Sequence, residues 1–307
     1  LVWAIIYCVT SSYTYYVYLS EYTLSSMPRL KMIISLIFYF CSLMTLICHT
    51  FCIYKNPGTV DSDRMEKIKD NQKEFCKKCN KYRPLRAHHC STCNKCIMKM
   101  DHHCPWIFNC VGYGNQKIFF LFLFYATFGC FIAFACLVTN FFTDHFSYIL
   151  RHPKYKIDFN TNMFLLFIQI VFSLSDAFYI IMGTVMALAM AIAIGGLFFT
   201  QLSFISKNVT GVEDTIFEDD PEMNPWYAKK DRWFMVKTVL GLGPRWKWFL
   251  PIVEENKYNS GYLFDTPYER IVKKKEETKE NDNKNKNKKE DNNKKDKNGK
   301  SVFKCGC

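Results

Sequence analysis

Seven of the fifteen cysteines and four of the seven histidines in this chain lie between Cys76 and Cys110, in the stretch CKKCNKYRPLRAHHCSTCNKCIMKMDHHCPWIFNC. Cys-x-x-Cys pairs mixed with histidine have the spacing of a zinc site rather than of a disulfide framework. Two four-coordinate zinc sites use eight ligands, whereas this block offers 11 side chains able to ligate. They are Cys76, Cys79, His88, His89, Cys90, Cys93, Cys96, His102, His103, Cys104 and Cys110. A module that only binds metal has no use for the surplus. A spare cysteine beside a spare histidine and an aspartate, in Asp101-His102-His103-Cys104, has the composition of an activated nucleophile. The thiolate is the reactive form of cysteine, a neighbouring imidazole can take its proton, and a carboxylate can orient that imidazole. The competing reading is that Cys104 is one more ligand.

The elements that must position this block are apolar. Residues 31–53 and 117–139 each supply the roughly 20 consecutive apolar residues that a membrane span needs, and residues 1–19, richer in Tyr, Ser and Thr, form a weaker third. Residues 1–19 carry neither a basic n-region nor a small-residue cleavage site, so they read as a span rather than as a signal peptide. The apolar run 163–205 is interrupted at Ser173-Leu174-Ser175-Asp176. The dozen or so residues before that break are about 20 Å of helix, too short to cross. The expectation is an interfacial helix over 163–174 within a lumenal loop (140–175), and a fourth span over 176–206. Small residues at every fourth position there (Gly183, Ala187, Ala191, Gly195) make a ridge for close helix packing.

Basic residues set the orientation. Residues 54–117 hold 13 Lys or Arg, and the segment after Ser206 is also Lys-rich, whereas the 140–162 loop has only Arg151, Lys154 and Lys156. Four spans put 54–116 and 207–307 together on the cytosolic side, where a reducing environment suits thiolate ligation. The expected fold class is therefore an all-α polytopic membrane protein, with four transmembrane helices and a cytosolic two-zinc cysteine-rich domain between the second and third. Asn208-Val209-Thr210 is then a glycosylation sequon that never meets the lumen. Trp226, Trp233, Trp246 and Trp248 lie among Lys, Arg and Pro after the last span, which marks 207–268 as a membrane-associated segment. Residues 270–300, with 13 basic and seven acidic side chains and no aromatics, cannot bury a core, so 269–307 is expected to be a disordered tail. The net charge of +12, set beside these apolar runs, favours an anionic membrane surface over nucleic acid as partner.

Cys76-x2-Cys79, then Arg83-Pro84-x-Arg86-x-His88-His89-Cys90-x2-Cys93-x2-Cys96, then Asp101-His102-His103-Cys104-Pro105-Trp106, Cys110 and Asn115 resemble the cysteine-rich domain of the DHHC protein S-acyltransferases. Spacing alone allows several metal pairings. The resemblance implies one zinc on Cys76, Cys79, His89 and Cys96 and another on Cys90, Cys93, His103 and Cys110, both structural. It also implies Cys104 as nucleophile, His102 as base and Asp101 as the residue that orients it. The implied reaction carries a fatty acyl group from palmitoyl-CoA, or another long-chain acyl-CoA, to cysteines of client proteins near the membrane. The implied location is a multi-pass protein of endomembranes (Golgi, ER or plasma membrane) with its active site in the cytosol. Arg83, Arg86 and His88 are candidates for the CoA phosphates, and Trp106 for the entry of the fatty tail.

Gly129, about 20 Å along its span, stands where family members can close the tail cavity with an aromatic side chain, which predicts tolerance of chains longer than palmitate. The chain departs from the family pattern at Asn56-Pro57-Gly58, where the family has Asp-Pro-Gly, and at Thr210-Gly211-Val212-Glu213, where it has Thr-Thr-x-Glu. The terminal Cys305-Gly306-Cys307 has the form of a lipidation site, but a further anchor is redundant on a chain that already spans the membrane, and unmodified thiols are the simpler expectation. Two other classes compete. A membrane-anchored zinc-finger interaction module needs no spare nucleophile. A zinc transporter needs ligands inside the spans, for which His49 and Asp176 are the main candidates.

Overall fold

The computed structural model describes residues 28–66, 68, 73–140, 163–219 and 231–253. The expected first span at 1–19, the link to 27, the loop 141–162 and the tail from 254 lie outside the described residues.

Three long helices dominate. Helix α1 runs Pro28–Tyr54, and a single turn, α2, covers Ser62–Met65. Helix α3 runs Gln116–Asn140, and α4 runs Met163–Lys207. Two short helices follow, α5 over Gly211–Asp219 and α6 over Arg232–Leu240. The stretches Arg29–Tyr54, Gln116–Thr139 and Ile181–Lys207 are each long and apolar enough to cross a membrane.

The expected break at Ser173–Asp176 is not there, because α4 is helical without interruption from Met163. Ser and Asp cost a helix interior only a few tenths of a kcal/mol each relative to better formers, too little to stop a helix that is apolar on both sides. The small-residue ridge does pack. Ala187 and Ala191 are buried, Ala187 joins Phe38, Ala133 and Leu137 in one cluster, and a Cβ on Gly195 would touch Thr127.

The chain is not all-α. Between α2 and α3 lie three antiparallel hairpins: β1–β2 (Lys73–Cys76, Lys81–Pro84), β3–β4 (His88–Cys90, Lys95–Ile97) and β5–β6 (His102–Cys104, Asn109–Val111). They are too short for hydrophobic alternation to reveal in the sequence, and metal spacing was the stronger signal there. The hairpins follow a fourteen-residue period. Cys76, Cys90 and Cys104 each end a first strand. Asn80, Asn94 and Phe108, four residues on, each adopt a left-handed backbone, with φ of 51°, 51° and 49°.

Asn side chains tie the hairpins to the helices. Asn109 Nδ2 donates to the carbonyls of Cys52 (3.0 Å) and Lys55 (2.9 Å), capping the end of α1. Buried Asn115 donates to Cys110 O and accepts from Gly112 N, closing the turn into α3. Asn56 Oδ1 accepts from Gly58 N and Thr59 N, both at 2.9 Å, so the turn that the family builds with Asp forms here with Asn. Gly114 passes so close to Asn56 O that any side chain would collide with it.

Candidate active site and metal centres

The fourteen-residue period explains which ligands meet. At the tips of the first two hairpins stand Cys76 with Cys79 and Cys90 with Cys93. In the bodies of the second and third stand the cross-strand partners His89↔Cys96 and His103↔Cys110. Each tip pair meets the body pair of the next hairpin. The resulting groups, Cys76/Cys79/His89/Cys96 and Cys90/Cys93/His103/Cys110, have all their ligand atoms within 4.8 Å of one another.

Metal–sulfur distances near 2.3 Å in a tetrahedron place neighbouring sulfurs about 3.8 Å apart. Cys79 and Cys96 are 3.6 Å apart, Cys93 and Cys110 3.5 Å, and His103 Nδ1 lies 3.4 Å from Cys93 Sγ. Three thiolates and an imidazole in this geometry fit a zinc ion closed to substrate.

The period also shows what is spare. The first hairpin carries Phe75 and Tyr82, paired edge to face at 5.3 Å, at the positions where the others carry His and Cys. At the third tip, buried Ile107 occupies the place of Cys79 and Cys93. Cys104 thus keeps a ligand's position without a ligand's partners. The signal for this repeat in the sequence is the identical spacing of Cys76, Cys90 and Cys104.

Cys104 and His102, two residues apart on β5, project from one face of the strand and line a common cavity. His102 Nδ1 donates to Asp101 Oδ2 at 2.7 Å. Asp101 is buried and also accepts from Gln201 Nε2 (2.7 Å) on α4 and from Gly211 N (2.6 Å) at the start of α5. Burial alone would lower the pKa of His102. The hydrogen bonds to Asp101 and Cys104 and the carboxylate charge outweigh that and push it up to about 9. At neutral pH the imidazole therefore holds a proton beside the sulfur. Gln201 was not legible as a site residue, since a lone Gln in an apolar helix has no spacing signature. The second Thr hydroxyl of the family pattern is absent at Gly211, and the backbone amide there supplies the contact to Asp101.

The cavity has a volume of about 460 Å³ and runs from Cys104, His102 and Trp106 between α1, α3 and α4 to Gly129 and Cys130. Phe119, Phe122 and Leu123 line its wall. Trp106 is half exposed at its mouth, and the Trp106 carbonyl accepts from His49 Nε2 at 3.2 Å. His49 is thus a prop for the turn after Cys104 rather than a ligand on a transport path. The side chain of Asp176 lies outside the described residues.

The proposed phosphate contacts separate. Arg83 pairs across its hairpin with Glu74 at 3.2 Å and keeps some exposure. His88 is half-buried, and its Nε2 meets no hydrogen-bond partner among the described residues. Arg86 does not fit the expectation. It is buried in a two-pronged pair with Glu213 of α5 (2.7 Å for Nη2–Oε2) and donates to Asn208 O at 2.8 Å. Its guanidinium is used up in holding α5 to the hairpins.

Residues 69–217 match the family model for the DHHC palmitoyltransferase. Over 240 residues the chain is 28% identical to the probable protein S-acyltransferase 15 of Arabidopsis thaliana, covering 72% of this chain and 84% of that protein. It is 50% identical over 92 residues to palmitoyltransferase PFA4 of Candida glabrata, covering 30% of this chain and 24% of that protein. It is 42% identical over 104 residues to palmitoyltransferase ZDHHC15 of Xenopus laevis, covering 34% of this chain and 30% of that protein. The chain thus spans less than a third of the length of the last two relatives.

Proposed function

The chain belongs to the DHHC palmitoyltransferase family, and we propose that it transfers a long-chain fatty acyl group from acyl-CoA to cysteine thiols of client proteins through a thioester on Cys104. The observation that carries this reading is that Cys104 stands outside both metal clusters, beside His102 and Asp101, on the wall of an apolar cavity between membrane-capable helices.

In the first half-reaction the Cys104 thiolate attacks the thioester carbonyl of acyl-CoA. The bond from carbon to the CoA sulfur breaks, and the departing thiolate takes the proton held on His102. In the second, the client thiol gives its proton to His102 and attacks the acyl-Cys104 carbonyl, which releases Cys104 as thiolate. One thioester is exchanged for another, so no nucleotide is consumed, and the two half-reactions run in ping-pong order. Asp101, fixed by Gln201 and Gly211, keeps the His102 ring turned so that Nε2 is free for the proton transfers.

Each Cys/His cluster would hold one zinc ion, whose contribution is to fix the hairpins that carry Asp101, His102 and Cys104. The acyl tail would lie in the cavity towards Gly129, with Trp106 at its entry. The CoA phosphates would meet Arg83 and His88. Cysteine ligation and the basic loops support a cytosolic active site on a protein of the endomembranes, with clients that carry cysteines close to the bilayer.

The test is to incubate the purified protein with labelled palmitoyl-CoA. Hydroxylamine-labile label is expected on the wild type and not on Cys104→Ser, with metal content equal in both. Equal labelling of the two proteins would overturn the assignment.

A further inference from the structure

Beyond α4 the chain returns to the helix ends and presents a surface that acyl transfer does not use. Asp231 caps α6 by accepting from Trp233 N at 3.0 Å. The inner face of α6 (Val236, Val239, Leu240) packs on Phe120 of α3 and Ile205 of α4. A turn at Gly241, with φ +119°, leads into a 3₁₀ turn over Arg245–Phe249.

Polar anchors fix the depth of this turn. Lys117 Nζ donates to Lys247 O (2.9 Å) and Ile252 O (2.7 Å), and Tyr125 OH donates to Phe249 O (2.7 Å). Tyr125 stands about 13 Å along α3 from Gln116, at 1.5 Å per residue. The Phe249 ring lies 6.1 Å from that of Phe124, which stacks at 4.6 Å on Phe128. The 3₁₀ turn therefore lies against the first turns of an apolar, membrane-capable helix. Its exposed side chains continue into that helix's own exposed surface at Phe128 and Phe131.

Those exposed side chains are of two kinds. Leu242, Trp246, Phe249 and Ile252 are apolar and roughly half exposed or more. Arg245 is exposed, and Lys247 Nζ lies 5.9 Å over the Trp246 ring. Residues 231–253 carry four basic side chains against the single acid Asp231. Tryptophan and basic residues at one level of an apolar surface fit the boundary between headgroups and acyl chains, and each basic side chain near an anionic leaflet adds attraction.

We propose that Leu242–Ile252 is a lipid-docking surface, in which Trp246, Phe249 and Ile252 insert at the acyl boundary of the bilayer while Arg245 and Lys247 hold anionic phospholipid headgroups. It rests on the reading of α1, α3 and α4 as membrane spans and not on the chemistry of Cys104.

The test uses the full chain in nanodiscs, both as wild type and as Cys104→Ser, which keeps this surface whether or not a thioester forms. The fluorescence assigned to Trp246, obtained by subtracting Trp246→Phe, is quenched by phospholipid brominated near the glycerol end of its chains. Brominated phosphatidylserine is expected to quench it more strongly than brominated phosphatidylcholine at equal mole fraction. That preference should fall about fivefold for each charge removed in Arg245→Gln and Lys247→Gln. Both substitutions keep the backbone carbonyl that Lys117 holds.

Absence of quenching of the Trp246 component, or an unchanged preference in the double variant, overturns the proposal. Competition by soluble glycerophosphoserine as strong as that by the bilayer lipid would make this a plain anion site and equally overturn it. A shift from dimer to monomer in Trp246→Arg, with Trp246 shielded from bromolipid in the wild type, would assign the surface to a second copy instead.

Discussion

At Gly211 the chain loses a side chain and keeps a contact. Its amide is 2.6 Å from Asp101 Oδ1, and a Cβ there would stand 3.2 Å from Asp101 O, tighter than an ordinary contact. The missing hydroxyl was readable in the sequence as a departure from the family pattern. The amide was not, because backbone donors leave no mark in residue types. Gln201 escaped for a related reason, since its partner lies 100 positions away. A hydrogen bond to a buried charge contributes about 1.5–3 kcal/mol. Gln201→Leu is therefore expected to slow thioester formation on Cys104 by roughly 10- to 100-fold with metal content unchanged, followed as early label incorporation. An unaltered rate would remove Gln201 from the site. At Gly129 a Cβ would meet only Cys41 among the described residues, at 3.7 Å, so the proposed tail cavity is open there. Gly129→Tyr should fill the cavity below that level and shift the acyl-CoA preference from C18 towards C16 and shorter. The same preference in both proteins would show that the tail ends elsewhere.

The elements meet at a buried ion pair that joins α5 to the link between the first and second hairpins. The Arg83–Arg86–His88 cluster reads in sequence as one basic patch, but only the fold shows that Arg86 faces inward to Glu213, 127 positions later. Removing one partner of a buried pair leaves a lone charge and costs about 3–5 kcal/mol. Arg86→Met should therefore loosen α5 and, through Gly211, slow acylation. Replacing both partners with apolar residues should cost less than the two single changes added together, which an unfolding cycle in detergent measures; strict additivity would count against the coupling. Burial alone would raise the pKa of Glu213. The Arg86 guanidinium and the hydrogen bonds from Arg86 and Thr210 N outweigh it and hold the carboxyl below its ordinary value of 4.5. The stability this adds is complete above the ordinary value and is lost as pH falls through the lower, folded one. The difference in stability between wild type and Glu213→Gln should therefore be flat near neutrality and shrink only in acid below about pH 4.5. A difference that instead declined between pH 8 and 6 would point to another group.

For the whole molecule, apolar lengths anticipated three of the helices, while the ligand groups followed from the family resemblance and not from metal arithmetic, which left several pairings open. The small hairpins and the unbroken α4 were hidden, because strands of three or four residues carry no period and a few polar residues do not stop a long helix. The two metal groups link the hairpins in series, since each joins one hairpin's tip to the body of the next. Chelation should therefore release β5 from β3 and abolish thioester formation while the three long helices persist. Far-ultraviolet dichroism together with acyl labelling would check this, and full labelling of metal-free protein would contradict it. The same long-range geometry has a consequence during synthesis. The last atom to fix Asp101, the amide of Gly211, comes 110 positions after it. At about 5–20 residues per second, the ribosome delivers the nucleophile roughly 5–20 s before the residue that completes its support. Until then the cavity wall from α4 is missing too. On the proposed mechanism, Cys104 gains its full setting only when the chain that would shelter the acyl group has been made.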